Sequence, residues 1–323
     1  MKYHGAWFAA VVAGSMPFWG APADAETIGI FTKSAGNPIA RAVRAGADVV
    51  AKANGFTVFH YIPTSADNVP QQTALVEEAL RAKHDAIVFT PVDVKAMVTP
   101  VQKINAAGIP VINVSDRLAG GETVAFIGND DYSIALDTAR ALLKAMGGKG
   151  NLVVLEGPDT IPTAVGRLRG FKDALKEFPD VKVVLSKSAM YARPAALDLI
   201  KTMLKLNPPP QIDGVLAAND SMALGALEAF KEAKKKVPLI VGINASKEVV
   251  DLIKAGDILA SGDYNGLVEG CLGTEIAIRT LRKQPVPKEV MAKTSVVDKT
   301  NYQAYEIPAE RRPCPTLESM AAK

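Results

Sequence analysis

Beyond its first 25 residues, the sequence alternates between short apolar runs and segments with helical periodicity, and this alternation limits the fold more than any other feature. The runs "TIGIF", "FTVFHY", "DAIVFT", "IPVINV" and "VAFIG" have strand length. Helical patterns separate them, through Ala51, near residues 68–82 and up to Ala107. Strands that alternate with helices predict parallel sheets with helices on both faces. We therefore expect an α/β fold of the doubly wound type.

The same pattern restarts near residue 151, with "NLVVLEG", "VKVVLS", "DGVLAAND", "PLIVGIN" and "ILASGDY". Helical periodicity separates these runs, for example over residues 164–176, 195–206 and 222–234. A chain of 323 residues has the length of two domains. We expect two similar α/β lobes. A last strand is predicted within "EVMAKTSVVD", and the Pro-rich end from Ile307 to Lys323 is predicted to be loosely ordered.

The first 25 residues have the layout of a secretory signal peptide. Lys2 gives a short basic start, an apolar run follows to Gly20, and Ala-x-Ala spacing ends at Ala23 and again at Ala25. The apolar run is shorter than a typical membrane-spanning helix. We expect residues 1–25 to be cleaved and the mature chain to lie in the periplasm. An uncleaved anchor or interfacial helix is the alternative.

Composition and missing motifs argue against several classes of protein. The formal net charge of +3 is small and scattered, so we expect no nucleic-acid partner. No G-x-x-x-x-G-K-[ST], G-x-S-x-G or H-E-x-x-H motif is present, and no G-x-G-x-x-G follows the first strand. His60 and His84 lie beside apolar strands and indicate packing. We expect no catalytic residues, no cofactor and no metal.

The two cysteines allow two interpretations. Export makes a disulfide between Cys271 and Cys314 permissible. Cys271 lies in an apolar helical pattern, however, where a buried free thiol is the usual case. We therefore expect free thiols, and a disulfide remains the alternative.

Polar residues follow most of the predicted strands. The carboxyl ends of parallel strands converge on one crevice, so these side chains are predicted to meet there. Carboxylate, amide and guanidinium groups together suit a ligand rich in hydroxyls, which both donate and accept. The residues in these positions are Asn37, Asp116, Arg117, Arg167, Arg169, Asn219, Asp220, Asn244, Asp263 and Tyr264.

Five stretches resemble the ribose-type periplasmic sugar-binding proteins of ABC importers: "NP…A-G-A" from residue 37, "PVINVSDR", "GRLRGF", "AANDSMALGAL" and "VGIN". The resemblance covers about residues 26–298. It implies two lobes joined by three crossing segments, near Asn129, near Tyr264 and near residue 290, with sugar bound in the cleft. The implied N-terminal lobe is residues 26–128 plus about 265–289, the C-terminal lobe is 129–263 plus about 290–300, and 301–323 is a tail.

The resemblance also implies a ligand-binding set, namely Asn37, Asp116, Arg117, Arg167, Tyr191, Asn219, Asn244 and Tyr264. Two of these depart from the family, which has aspartate at the position of Asn244 and glutamine at that of Tyr264. Relatives often carry two aromatic residues where this chain has Ile39 and Ala40. Without those rings there is no ring face on which a pyranose can stack. We therefore expect a polyol, a furanose or another compact monosaccharide.

Each of these positions also has a structural interpretation. Asp220 is expected to cap its helix, and Lys33 to be solvated. For Arg169, a structural ion pair inside the second lobe and a place in the ligand site are equally good interpretations. Asn37 can simply form its turn.

The resemblance implies a solute receptor that closes by a hinge and delivers its ligand to a membrane permease, and we expect it to be a monomer. A transcriptional regulator would need an N-terminal helix-turn-helix in place of the signal peptide. An exported enzyme would need an acid–base or nucleophile set. A ligand sensor for a chemotaxis or histidine-kinase receptor differs only in its partner, so that alternative stays open.

Overall fold

A computed structural model describes Met1 and residues 26–206, 210–308 and 311–321. The predicted signal peptide therefore lies almost entirely outside the described residues. Within the described part of the chain, no helix is long and apolar enough to cross a bilayer.

The first half of the chain forms five strands and three helices. In chain order these are β1 (Thr27–Phe31), α1 (Pro38–Asn54), β2 (Thr57–Tyr61), α2 (Val69–Ala82), β3 (Ala86–Phe89), α3 (Val98–Ala106), β4 (Val111–Val114) and β5 (Ala125–Asn129). The second half follows the same alternation with α4 (Asp131–Ala145), β6 (Lys149–Glu156), α5 (Pro162–Lys176), β7 (Asp180–Ser188), α6 (Arg193–Leu204), β8 (Gly214–Ala217), α7 (Asp220–Glu232), β9 (Leu239–Ile243), α8 (Lys247–Ala255) and β10 (Ala260–Gly262). The chain ends with α9 (Gly266–Leu281), β11 (Glu289–Ala292), β12 (Val296–Val297), a 3-10 helix (Tyr302–Tyr305) and α10 (Leu317–Ala321).

The strands form two six-stranded sheets, and this confirms the predicted two-lobe α/β fold. The first sheet has the order β11-β5-β4-β3-β1-β2, and the second has β12-β10-β9-β8-β6-β7. All neighbouring strands are parallel except β10 and β12, which are antiparallel. We call the first sheet with its helices the first lobe, and the second sheet with its helices the second lobe.

The chain passes between the sheets three times, after β5, after β10 and after β11. The third passage lies at residues 293–295, because β11 pairs with β5 in the first sheet. This corrects our assignment of residues from about 290 onward to the second lobe. The segment "EVMAKTSVVD" contains two strands, one in each sheet, where the sequence predicted one.

Helix α9 returns to the first lobe and packs closely on α1. Two glycines make this contact possible. A side-chain carbon on Gly270 would lie 2.0 Å from the carbonyl oxygen of Val43, and one on Gly46 would lie 2.6 Å from that of Leu267. The first lobe therefore includes a helix that follows the second lobe in the chain.

A disulfide joins Cys271 in α9 to Cys314 in the C-terminal tail. Our expectation of free thiols was wrong, because the tail folds back over the first lobe. Leu317 and Met320 pack against the apolar core of that lobe, and Leu317 N donates to Glu275 Oε2 at 3.0 Å. The described part of the tail is therefore packed, where the sequence predicted loose order.

Candidate ligand site

A cavity of about 380 Å³ lies between the lobes, at the carboxyl ends of the strands. Seven of the eight residues in the predicted set line it: Asn37, Asp116, Arg167, Tyr191, Asn219, Asn244 and Tyr264. They come from the turns after β1, β4, β8, β9 and β10, from the start of α5, and from the segment after β7. Residues far apart in sequence meet here because parallel strands end on the same edge of each sheet.

Arg117 does not line this cavity. Its guanidinium lies 4.0 Å above the ring of Phe126 and forms an ion pair of 2.8 Å with Glu289. The chain bends after β4, where Ser115 has a positive φ of 66°. Asp116 faces the cavity, whereas Arg117 faces β11 at the edge of the first sheet.

Asn37 has a structural role at the cavity wall. Its side-chain oxygen accepts from the backbone nitrogens of Ile39 at 2.8 Å and Ala40 at 3.4 Å, which caps α1. Pro38 occupies the first turn of that helix, where a missing N–H costs nothing. The Gly-Asn-Pro sequence thus ends the turn after β1, starts α1 and leaves the Asn37 amide nitrogen as a donor at the cavity.

Lys33 is not a solvated lysine, contrary to the sequence interpretation. It lines the cavity, and its Nζ donates to Asp116 Oδ2 at 2.5 Å. Burial lowers the pKa of Lys33, but the attraction and hydrogen bond of Asp116 outweigh burial, and the net shift is upward. The lysine therefore stays charged, and the pair is a fixed feature of the first-lobe wall.

Arg167 forms the corresponding pair in the second lobe. Its Nε donates to Asp131 Oδ1 at 2.9 Å, and its Nη1 donates to the carbonyl oxygen of Ala218 at 2.7 Å. The side chain is only 4% exposed. Burial raises the pKa of Asp131 to about 6, although Arg167 opposes that rise.

Two tyrosines surround the Arg167 guanidinium, which lies 5.8 Å from the ring centre of Tyr191 and 5.0 Å from that of Tyr264. These distances are typical of cation–π contacts. Burial raises the pKa of Tyr191 to about 12, so its hydroxyl keeps its proton at neutral pH. Tyr191 also adopts a positive φ of 56°, and its ring fits against Gly157, where a side-chain carbon would lie 2.5 Å from Cζ.

Asn219 connects the start of α7 to the segment that carries Tyr191. Its side chain accepts from Met222 N at 2.9 Å, which caps α7, and donates to the carbonyl oxygen of Tyr191 at 3.1 Å. This corrects the expectation that Asp220 is the cap. Asp220 is buried one residue further on, where it accepts from Ser246 N at 2.7 Å and Ser261 Oγ at 2.6 Å.

The remaining predicted positions have these surroundings. Asn244 lines the cavity with an unusual φ of 135°, and its backbone nitrogen donates to Gly262 O at 2.7 Å. Arg169 lies outside the cavity, with its guanidinium 4.6 Å from the ring centre of Tyr132. Arg169 therefore has a structural contact, but it is a cation–π contact with Tyr132 rather than the expected ion pair.

Several polar residues that line the cavity were not in the predicted set. Among them are Lys33, Asp67, Thr90, Ser115, Thr163 and Ser221. Thr90 and Ser115 directly follow β3 and β4, so the rule that singled out Asp116 would also have found them. Within the described residues, the Thr90 Oγ1 and Tyr191 hydroxyl atoms are buried without a hydrogen-bond partner. Buried polar atoms of this kind call for a partner, and both lie at the cavity.

The cavity carries both signs of charge in near balance. Lys33 and Arg167 are each paired with a carboxylate. Asp67 is a further acid at the wall, and its pKa is raised by burial although Lys33 opposes the rise. No group of three or more metal-binding side chains occurs among the described residues. The site therefore offers hydrogen bonds of both kinds with little net charge.

Comparison with known proteins places the chain in a family. Residues 28–285 match the model of the periplasmic binding protein domain. The chain belongs to this family. A D-apiose import binding protein from Paraburkholderia graminis is 34% identical over 238 residues, which is 73% of this chain and 75% of the relative. A xylitol-binding protein from Mycolicibacterium smegmatis is 31% identical over 257 residues, covering 79% and 72%.

Solved structures agree with this family and confirm the predicted resemblance to ribose-type periplasmic sugar-binding proteins. An ABC transporter periplasmic solute-binding protein from Actinobacillus succinogenes, solved with bound D-allose, is 30% identical with a TM-score of 0.81. The match covers 87% of this chain and 100% of that one. The fructose-binding periplasmic domain of a hybrid two-component system is 28% identical with a TM-score of 0.74, covering 87% and 93%.

Proposed function

We propose that this chain is the solute receptor of an ABC importer and that it binds a compact polyhydroxy molecule between its lobes, without changing it chemically. The observation that carries the proposal is the inter-lobe cavity. Its walls combine side chains from both lobes, and they offer two buried hydroxyls that have no hydrogen-bond partner in the part of the chain that the structure describes. A ligand rich in hydroxyls can donate to and accept from such groups at once.

Seven residues are proposed as ligand contacts: Asn37, Asp116, Arg167, Tyr191, Asn219, Asn244 and Tyr264. Lys33, Thr90 and Ser115 are added to this set because they line the same cavity. Arg117 is withdrawn because its guanidinium is engaged by Phe126 and Glu289. The paired charges favour a neutral ligand, since an anionic or cationic one would have to break a buried ion pair.

The shape of the first-lobe wall favours a compact ligand. Ile39 and Ala40 line the cavity and present no aromatic ring. Arg167 lies over the rings of Tyr191 and Tyr264, so one face of each ring is occupied. A hexopyranose would find few open ring faces for stacking. Two similar proteins are named as binding proteins for xylitol and D-apiose, and these are the compact ligands that we propose to test first.

The proposal is tested by thermal shift and calorimetry on the mature protein with xylitol, D-apiose, D-allose and D-glucose. We expect stabilisation by xylitol or D-apiose, because a ligand at about 100 times its Kd adds roughly 2.7 kcal/mol. Glucose should have the smallest effect. Strong stabilisation by glucose alone would contradict the compact-ligand assignment, and no response to any sugar or polyol would contradict the receptor assignment.

Export and delivery complete the proposal. We propose cleavage after Ala25, a periplasmic monomer, and a membrane permease as partner, with no nucleic acid involved. Intact mass of the periplasmic protein should begin at Glu26. Recovery of the chain with its first 25 residues, inside the cytoplasm, would contradict this.

A sensor role is the second candidate, supported by the similarity to the periplasmic domain of a two-component system. The two roles differ in what is lost when the gene is deleted. Loss of uptake of labelled ligand indicates the importer. Unchanged uptake with loss of a ligand-induced transcriptional response indicates the sensor.

A further inference from the structure

One hydrogen bond connects the two lobes directly across the candidate site. Thr163, in the first turn of α5, belongs to the second lobe. Its Oγ1 donates to Oδ1 of Asp116, which follows β4 in the first lobe, at 2.7 Å. Both residues line the cavity. This contact is therefore separate from the three covalent passages between the lobes.

Thr163 lies between the two buried ion pairs of the site. Asp116 is held on its other oxygen by Lys33, and Thr163 lies one turn of α5 before Arg167, the partner of Asp131. These five side chains form a row that runs from β1 in the first lobe to α5 in the second. We call this row the cross-cleft row.

The charges of the cross-cleft row explain why a hydroxyl is needed at its centre. The two carboxylates, Asp116 and Asp131, flank Thr163, and Asp116 is one of the groups that raise the pKa of Asp131. Like charges that approach each other repel. The Thr163 hydroxyl gives Oδ1 of Asp116 a hydrogen bond in the presence of this second acid. A valine has the same shape but leaves that oxygen without its bond.

We propose that Thr163 is a positioning residue that favours closure of the two lobes through its bond to Asp116. The ligand-dependent part of the argument rests on the proposed function. Hinge opening must break this bond, because its two ends belong to different lobes. The apparent affinity of a ligand scales with the fraction of protein in the binding-competent state. A residue that favours closure therefore changes the affinity of every ligand by the same factor.

This uniform factor separates positioning from direct contact. A side chain that touches the ligand loses affinity only for ligands that carry the contacted hydroxyl. The test compares Thr163→Val, which removes the hydroxyl, with Thr163→Ser, which keeps it. Thr202→Val is the matched control, because Thr202 is exposed on α6 and its hydroxyl donates to Asp198 O in the same helix, at 2.8 Å.

The first measurement needs no ligand. Spin labels at Lys95→Cys in the first lobe and Lys187→Cys in the second, both exposed, report the inter-lobe distance by pulsed electron resonance. We expect a longer mean distance in Thr163→Val than in the parent protein, with Thr163→Ser and Thr202→Val unchanged. Identical distance distributions in Thr163→Val and the parent would overturn the proposal, whatever ligand the protein binds.

The second measurement is calorimetry with xylitol, D-apiose and D-allose. We expect Thr163→Val to weaken each ligand that binds by the same factor, about tenfold, which corresponds to one charge-assisted hydrogen bond. Thr163→Ser should restore the parent affinities. A loss that differs between ligands would show direct contact and overturn the positioning role. Failure of the parent to bind any of the three would contradict the proposed function, while the distance measurement would still decide the role of Thr163.

Discussion

Asn129 donates a hydrogen bond of 2.8 Å to Glu269, and it thereby joins the first passage between the lobes to the helix that follows the second. Ser115 Oγ donates to the other oxygen of Glu269 at 2.5 Å, and Asn265 N donates to Asn129 Oδ1 at 3.1 Å. Glu269 is fully buried. Burial raises the pKa of Glu269 to about 8, although the hydrogen bonds from Ser115 and Asn129 oppose the rise.

Glu269 should make stability depend on pH. An acid whose pKa is higher in the folded state than the ordinary 4.5 holds its proton more tightly when folded, so stability falls as pH rises from about 4.5 to about 8. Glu269→Gln copies the protonated form and removes this dependence. We expect the stability of the variant relative to the parent to rise across that window by at most about 1.4 kcal/mol per pH unit.

Urea unfolding of both proteins at several pH values measures the difference. It should be constant below about pH 4.5 and level off above about pH 8, because the protonation states then match in the folded and unfolded chains. A difference that does not change with pH would show that Glu269 does not titrate with a raised pKa.

Reduction of the disulfide should destabilise the protein. Cys271 and Cys314 are separated by 43 residues. Closing a loop of that length lowers the entropy of the unfolded chain, and the chain-entropy model gives about 4 kcal/mol. Unfolding of the reduced parent isolates the cross-link, because no side chain is replaced. Two free thiols detected by mass spectrometry in the native, unreduced protein would contradict the disulfide itself.

Tyr191→Phe should separate binding from folding. The Tyr191 hydroxyl is buried without a hydrogen-bond partner among the described residues, so its removal breaks no hydrogen bond of the ligand-free protein. We expect unchanged or slightly higher stability of the ligand-free protein, and binding weaker by about fivefold, as for one lost hydrogen bond. Thr90→Val should behave in the same way from the first lobe. Unchanged affinity in both variants would remove these hydroxyls from the site.

Arg167→Ala should damage folding as well as binding. Its removal leaves Asp131 buried without its partner, which costs about 3–5 kcal/mol in comparable cases. The double variant Arg167→Met, Asp131→Asn removes both charges and should recover much of the stability while binding stays weak. Thermal unfolding and calorimetry check the two effects separately. A double variant that binds as tightly as the parent would show that Arg167 does not contact the ligand.

The sequence predicted the lobes because the buried strands are marked by local apolar runs and most of them are followed by a helical pattern. The same local signal located Asn37, Asp116, Asn219 and Asn244 at strand ends. What it missed depends on contacts between distant residues. In the sequence alone, Lys33 looks like an ordinary surface lysine, because its partner Asp116 lies 83 positions away.

The direction of Arg117 was predicted wrongly, and the third passage was predicted a few residues too early, for related reasons. A family resemblance predicts which position corresponds to a binding residue, but it does not predict where the side chain at that position points. The side chain of Arg117 faces Phe126. Strands β11 and β12 are short and are joined by three residues. The sequence pattern predicts a single strand there, because it does not show that the two pair with different sheets. The disulfide could not be inferred because only the folded tail brings Cys314 to Cys271.

The position of α9 in the chain also fixes an order of events during synthesis. Strands β6 to β10 leave the ribosome as one uninterrupted stretch, whereas α9 and β11 emerge only afterwards. Until then, β5 has one unpaired edge, and the face of α1 that carries Val43 and Gly46 has no cover. The earliest-made lobe therefore cannot be completed until strands β6 to β10 of the other lobe have been made, and this uncovered face of the nascent chain is the surface that a holding chaperone would need to protect.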